Sequence, residues 1–175
     1  KHMRCFFRHG SMYQVCNSNL LFHASIPMNA DGTFKQVRIL DREYAGKALL
    51  DKVDQLVREA YFKTGEPEEL AFACDYIWYL WCGPDSPLFD KSKMATFERL
   101  FIADAETHKE EKGAYYTLRT QEEICDKILD EFGVEGTHRH IINGHVPVRS
   151  VKGENPIKAN GKMLVIDGGF SRPYH

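Results

Sequence analysis

The sequence has no uninterrupted apolar run of the ~18 or more residues that a membrane-spanning helix requires. Its first residues, Lys1-His2-Met3-Arg4-Cys5-Phe6-Phe7, are too short and too polar at their flanks for a secretory signal, so a soluble, cytoplasmic protein is expected, with no membrane partner. Neither charge is in excess: 23 Lys and Arg stand against 25 Asp and Glu, net −2. No basic stripe with interleaved aromatics is present, which argues against nucleic acid as a partner. No Cys-x-x-Cys pair occurs, and the five cysteines (Cys5, Cys16, Cys74, Cys82, Cys125) lie mostly in apolar runs. They are expected to be reduced core thiols, with neither a disulfide nor a structural zinc. Internal repeats and low-complexity tracts are also missing. The chain does not begin with methionine, which suggests a piece cut from something longer.

What is present is enough for a substantial core, with 43% hydrophobic residues in 175. Residues 4–8 and 12–16, separated by His9-Gly10-Ser11, have the profile of two strands joined by a turn. Leu20-Leu21-Phe22-His23 is a near-continuous apolar run, expected to be a buried strand ending on an imidazole. Over residues 43–63, Tyr44, Ala48, Leu49, Val53, Leu56, Val57, Ala60 and Tyr61 recur at helical spacing, with Gly65 as the stop. Pro67 opens a second helix that carries apolar residues on nearly every side as far as Cys82. It is therefore expected to be buried, with Gly83-Pro84 ending it. Ser92 is placed to cap a short helix bearing Met94, Phe97, Leu100 and Phe101, and the polar stretch 104–116 reads as a long loop. Thr120-Gln121-Glu122-Glu123 has the form of a capping box before a helix that presents Ile124, Ile128, Leu129 and Phe132 and ends at Gly133. The last element is a hairpin, 156–159 and 162–166, turning at Asn160-Gly161.

The stretch Ile141-Ile142-Asn143-Gly144-His145-Val146-Pro147-Val148 carries the first chemical signal. Two β-branched residues end a strand, a glycine clears space, and His145 stands at the strand's C-terminal edge, where open α/β sheets place ligands. Asn-Gly is equally the commonest mark of a tight hairpin. His23 occupies the same position after its own strand, and a hydrogen-bonded core histidine is the plain alternative. In a strand, His138 and His140 would share one face in a chelating geometry, with His145 on the other unless Gly144 turns the chain. Arg119 lies just before a helix N-terminus, where a guanidinium and free N–H groups can face an anion or simply meet solvent. Lys91, Lys93 and Arg99 are surface cations or, in a phosphate-handling protein, donors.

Taken together, His23 after Leu20-Leu21-Phe22, Gly144-His145 after Ile141-Ile142, and Ile166-Asp167-Gly168-Gly169-Phe170 resemble the C-terminal motifs of the calcineurin-like metallophosphoesterases. More closely, the chain resembles class III fructose-1,6-bisphosphatases of bacteria. The match rests on Gly10-Ser11-Met12-Tyr13, Asn19-Leu20-Leu21-Phe22-His23, Trp78-Tyr79-Leu80-Trp81-Cys82-Gly83-Pro84 and Lys93-Met94-Ala95-Thr96-Phe97-Glu98-Arg99. It continues in Asn143-Gly144-His145-Val146-Pro147-Val148 and Pro156-Ile157-Lys158-Ala159-Asn160-Gly161-Lys162, so that it runs over essentially all 175 residues.

The resemblance implies an α/β fold, the C-terminal part of a calcineurin-like sandwich in which helices pack on a β-sheet, as one region over residues 1–175. It implies a phosphatase that removes the 1-phosphate of fructose 1,6-bisphosphate in gluconeogenesis. In such a site two divalent cations, Mn2+ first among the candidates, sit about 3.5–4 Å apart, generate hydroxide from a bridging water and clamp the phosphate during in-line attack. His23 and His145 match the two late histidine ligands, and Arg119 matches a phosphate-contacting arginine of the related protein Ser/Thr phosphatases. Lys91, Lys93, Arg99 and Lys158 are candidates for the second phosphate of the sugar bisphosphate. Residues 170–174 resemble a segment bordering the site in those phosphatases. The family's earlier motifs, Asp-x-His, Gly-Asp-x-x-Asp-Arg-Gly and Gly-Asn-His-Glu, do not occur in the sequence, so the fragment alone is expected to be inactive. A metallophosphoesterase acting on a phosphoprotein or a dinucleoside polyphosphate, a non-catalytic binding or regulatory module, and a homo-oligomer all stay open.

Overall fold

A computed structural model of the chain describes residues 1–149 and 152–167. The elements that position the site are α1 (His2–His9), β1 (Tyr13–Cys16), β2 (Asn19–Phe22), β3 (Val37–Ile39), β4 (Arg42–Tyr44), α2 (Gly46–Phe62) and α3 (Pro67–Cys82). They continue as α4 (Thr96–Phe101), α5 (Tyr115–Leu118), α6 (Glu122–Glu131), β5 (His140–Asn143), β6 (Ile157–Lys158) and β7 (Met163–Val165). The architecture is α/β. Five strands form one sheet in the order β1-β2-β5-β7-β6, and β3 pairs with β4 in a separate ribbon. The three central strands run parallel, while β1 and β6 are antiparallel to their neighbours at the edges.

Registers Leu20↔Ile141 and Ile141↔Met163 place three fully buried side chains in one row across the sheet. Against that face pack α6, with Ile124, Cys125, Ile128 and Leu129, and the inner stripe of α2, with Leu49, Leu50, Val53 and Leu56. Burying each such side chain is worth about 1.5–3 kcal/mol, which makes this shared face the main source of stability. Next along β5, the buried Asn143 side chain donates from Nδ2 to Ala24 O at 3.0 Å and to the Tyr115 hydroxyl at 2.7 Å. A buried amide used this way ties the end of β5 to the segment after β2 and to α5. The other sheet face is also apolar. Registers Leu21↔Ile142, Ile142↔Leu164 and Leu164↔Ile157 align four hydrophobic residues, with Leu164 38% and Ile157 54% exposed.

The hairpin at the end of the described chain forms as expected, with Ile157↔Leu164 and Lys158↔Met163 paired around a turn in which Asn160 has φ 50°. Several expectations are corrected. Residues 4–8 are helical, not a strand: Phe7 stacks on Tyr61 at 3.9 Å, and Arg58 bonds the carbonyls of Phe7 and Gly10, so the segment leans on α2 and needs no strand partner. Helix α2 ends on Lys63 in the left-handed conformation rather than at Gly65, because the turn closes by Thr64 N–H donating to Glu59 O. Helix α3 is not surrounded. It buries Ala73, Tyr76 and Leu80, packing chiefly on α2, whereas among the described residues Trp78 is 76% and Trp81 68% exposed, because packing on one helix covers only one stripe.

Ser92 does not cap α4. Its Oγ accepts from Glu111 N–H, and the helix begins after Ala95, whose N–H is taken by Glu110. Nor does Thr120 act in a capping box, since its hydroxyl donates back to Thr117 O at 3.0 Å. Within 104–116 a short helical turn spans Ala105–His108, and the stretch ends on the buried Tyr115 and Tyr116, which open α5. Of the cysteines, Cys125 is buried, but Cys5, Cys16 and Cys74 are exposed. Cys5 lies on a helix that buries no residue, and Cys16 ends an edge strand. Among the described residues no helix is long and apolar enough to cross a membrane.

Candidate active site

Three parallel strands release the chain at one edge of the sheet, and each is followed within two residues by a side chain able to hold a proton or a cation. His23 follows β2, His145 follows β5, and Asp167 follows β7. The ladder continues past the strand ends: Gly144 N–H donates to His23 O at 2.9 Å, Ile166 N–H to Asn143 O at 2.8 Å, and Val148 N–H to Asp167 O at 3.2 Å. The backbone itself therefore sets where these three groups stand.

The two imidazoles converge, with His23 Nε2 lying 3.1 Å from His145 Nδ1. That spacing serves either as one hydrogen bond or as two nitrogens facing a shared ion, since ligands about 2.0–2.1 Å from a tetrahedral cation lie a little over 3 Å apart. His145 reaches this position through a left-handed backbone, φ 66°, unusual for a residue with a side chain. Its Nε2 is buried without a partner among the described residues. An orphaned buried imidazole nitrogen of this kind fits a cation better than it fits the protein interior. The fit is partial: among the described residues no group of three or more His, Cys, Asp and Glu side chains is arranged to hold a metal ion.

Burial is the main reason both imidazoles have pKa values below the ordinary value. For His145 the charges of His23 and Lys91 add to the depression, while Asp167 opposes it at both rings. A histidine whose folded pKa is depressed binds fewer protons than in the unfolded chain. Stability from this pair is therefore full above the ordinary imidazole value of about 6.5 and falls as the pH drops through it. Proton NMR of the metal-free chain should show both rings titrating below that value. Titration of either at or above it would contradict the burial seen for the pair.

The positive groups around this edge divide. Lys91 Nζ sits 5.2 Å from the Phe89 ring, whose centroid is 6.1 Å from that of His145. Arg119, only 4% exposed, lies 5.3 Å over the Tyr116 ring and leaves Nε and Nη1 without partners among the described residues. Buried guanidinium donors left free are costly unless an anion meets them. Lys91 also donates to Glu110 at 3.1 Å, a carboxylate it shares with Arg99 at 3.7 Å, and the other candidate cations are engaged as well. Lys93 Nζ donates to Thr107 O at 2.6 Å, Arg99 to His108 O at 3.1 Å, and Lys158 to Glu154 at 2.9 Å.

The strand expected to hold His138 and His140 on one face begins only at His140, so His138 is exposed outside it and the two make no chelating pair there. Gly144 is not needed to clear space, because a Cβ there would meet Asp167 and His23 at 3.6 Å and beyond, ordinary contact distances. Asp167, quoted above only as part of a motif, is the contributor that residue-by-residue reading left out. The signal was available, since it follows its strand as the histidines follow theirs. The Gly168-Gly169-Phe170 motif and the segment 170–174 lie outside the described residues.

The family model described as "Firmicute fructose-1,6-bisphosphatase" matches residues 1–175. The chain belongs to this family. Its relatives named class 3 fructose-1,6-bisphosphatase include one from Parabacteroides distasonis, 85% identical over all of this chain, and one from Bacteroides fragilis, 69% identical over 99% of it. Another, from Clostridium botulinum, is 53% identical over 99% of the chain. In each case the chain spans 26% of the relative's length. No solved structure matches it. Membership covers every element described above, including both histidines and Asp167.

Proposed function

We propose that these 175 residues are the C-terminal region of a metal-dependent phosphatase that removes the 1-phosphate of fructose 1,6-bisphosphate, in the cytoplasm and in the service of gluconeogenesis. The observation that carries the reading is the meeting of His23 and His145 at 3.1 Å beyond two adjacent parallel strands, in a chain whose whole length matches the family. His23 and His145 would hold part of a dinuclear cluster, with Mn2+ the first candidate and Asp167 alongside. Such a centre, when bound, supplies an activated water and Lewis-acid charge for in-line displacement at phosphorus.

The protein's own contributions follow from the geometry. The depressed basicity of both rings leaves them neutral, as ligands must be, at neutral pH. Arg119 offers phosphate oxygens two N–H groups that are unpartnered among the described residues, and Lys91 brings a charge felt at His145. The apolar row Leu21, Ile142, Leu164 and Ile157 on the open sheet face supports a calcineurin-like sandwich, which needs a second layer at that place.

The test uses the complete polypeptide. With Mn2+ it should release one phosphate from fructose 1,6-bisphosphate, a chelator should stop the reaction, and the 175-residue chain alone should release none. Release from a phosphopeptide or a dinucleoside polyphosphate, without release from the sugar bisphosphate, would give the site a different substrate.

A further inference from the structure

Backbone pairing past β2, β5 and β7 fixes the two imidazoles and Asp167, but Lys91, whose charge is felt at His145, belongs to none of the strands of that sheet. It lies on the connection between α3 and α4. A side chain on a loop is placed only as well as the loop is tied down. Ser25, two residues beyond His23 and 1% exposed, grips this loop at two points: its N–H donates to Pro87 O at 3.1 Å, and its Oγ donates to the Asp90 carboxylate. Gly113 and Tyr116 hold the same stretch, Gly113 N–H donating to Asp90 O at 2.8 Å and the Tyr116 hydroxyl to Phe89 O at 3.1 Å.

Asp90 is the centre of these ties. It is 3% exposed, has a left-handed backbone at φ 49°, and fits only because residue 113 has no side chain, since a Cβ there would overlap its carboxylate. Packing alone would favour an apolar residue at such a place, because a buried carboxylate is costly. What the carboxylate adds is direction: it accepts from Ser25 and so fixes the backbone from which Lys91 departs. Beyond it, Lys91 Nζ lies 5.2 Å from the Phe89 ring, whose centroid is 6.1 Å from that of His145. Lys91 is also paired with Lys112 where the two segments cross antiparallel, and like charges opposite one another repel. Glu110 offsets that charge, while the bond between Ser25 and Asp90 holds the chain in place.

We propose that Asp90 is a positioning residue: its carboxylate, held by Ser25, joins the loop to the chain just past His23 and keeps Phe89 and Lys91 against the imidazoles, so that Asp90 acts on the reaction through Lys91. The assignment rests on the proposed phosphatase reading.

In the complete polypeptide, Asp90→Ala and Ser25→Ala remove the same hydrogen bond from its two ends, and each is expected to lower kcat/KM for fructose 1,6-bisphosphate about tenfold or more. Mn2+ binding, followed by calorimetry, should stay within about twofold of the unaltered protein, because strand pairing rather than the loop holds the imidazoles. Asp90→Asn, whose amide oxygen can still accept from Ser25, should keep kcat/KM within about threefold. Lys91→Ala should be impaired like Asp90→Ala, and combining the two should add less than about twofold, since residues that act through one another are not additive. Where Asp90→Ala does not fold, Ser25→Ala and its combination with Lys91→Ala carry the same comparison. Unchanged kcat/KM in the Ala variants, losses that multiply in the double variant, an Asn variant as impaired as the Ala variant, or Mn2+ binding lost along with activity would overturn the positioning role. An unaltered enzyme that releases no phosphate from the sugar bisphosphate overturns the phosphatase reading instead.

Discussion

His145→Ala in the complete polypeptide should weaken Mn2+ binding at least about 100-fold and abolish phosphate release to a similar degree, as removal of a direct ligand is expected to do. The reason lies in three features of one residue: a buried Nε2 unpartnered among the described residues, an Nδ1 3.1 Å from His23, and a backbone held at φ 66°. A side chain in the left-handed region costs about 1–2 kcal/mol, and such a cost at a site is kept when function needs the resulting direction. His145→Gly should therefore bind metal no better than His145→Ala, yet leave the metal-free chain about 1 kcal/mol more stable than His145→Ala, measured by urea denaturation. His23→Ala should match His145→Ala in binding, and His138→Ala should have no effect. Calorimetry in which only the His138 change weakens Mn2+ binding would remove both ligands from the proposal.

Ile141→Ala is expected to have the largest effect on folding. Ile141 is fully buried in the central strand, between Leu20 on β2 and Met163 on β7. Truncation there opens a cavity beneath α6 and should cost about 2–5 kcal/mol, read as a lower denaturation midpoint with an unchanged slope. The neighbouring Ile142 points to the open face, and Ile142→Ala should cost the 175-residue chain about 1 kcal/mol or less. In the complete polypeptide the two costs should approach each other if a second layer covers that face. A persistent difference would argue against the sandwich arrangement.

Local chemistry made much of this readable in advance. Helix α2 repeats apolar residues at the period of a helix, Pro67 marks the start of α3, and Asn160-Gly161 marks the final turn, because each depends on contacts within a few residues. The misreadings share a cause of the opposite kind. Residues 4–8 contain β-prone types, but Arg58 and Tyr61, some fifty positions away, decide that they lie as a helix on α2. The aromatic surface of α3 looks like a core helix, but α2, its main neighbour among the described residues, covers only one stripe of it. Thr120 and Ser92 have cap-forming side chains, but nearer partners at Thr117 and Glu111 take their hydroxyls.

At the site, a strand followed by a histidine was visible twice in the residues, because strand ends and imidazoles are local facts. Which strands lie side by side is not, and the parallel pairing of β2, β5 and β7 is what turns His23, His145 and Asp167 from three scattered residues into one edge. The same holds for charge. Lys91, Lys93, Arg99 and Lys158 carried the same signal, and Glu110, backbone carbonyls and Glu154 engage them, whereas the pairing of Lys91 with Lys112 and the burial of Arg119 depend on chain crossings. Residue types and their spacing thus determined the family, the helical character of α2, α3 and α6 and the two histidines, all of which follow from neighbours in the chain. Tertiary structure alone decided the convergence of the imidazoles, the place of Asp167 and the grouping of cations, since each requires segments far apart in the chain to be brought within a few ångströms.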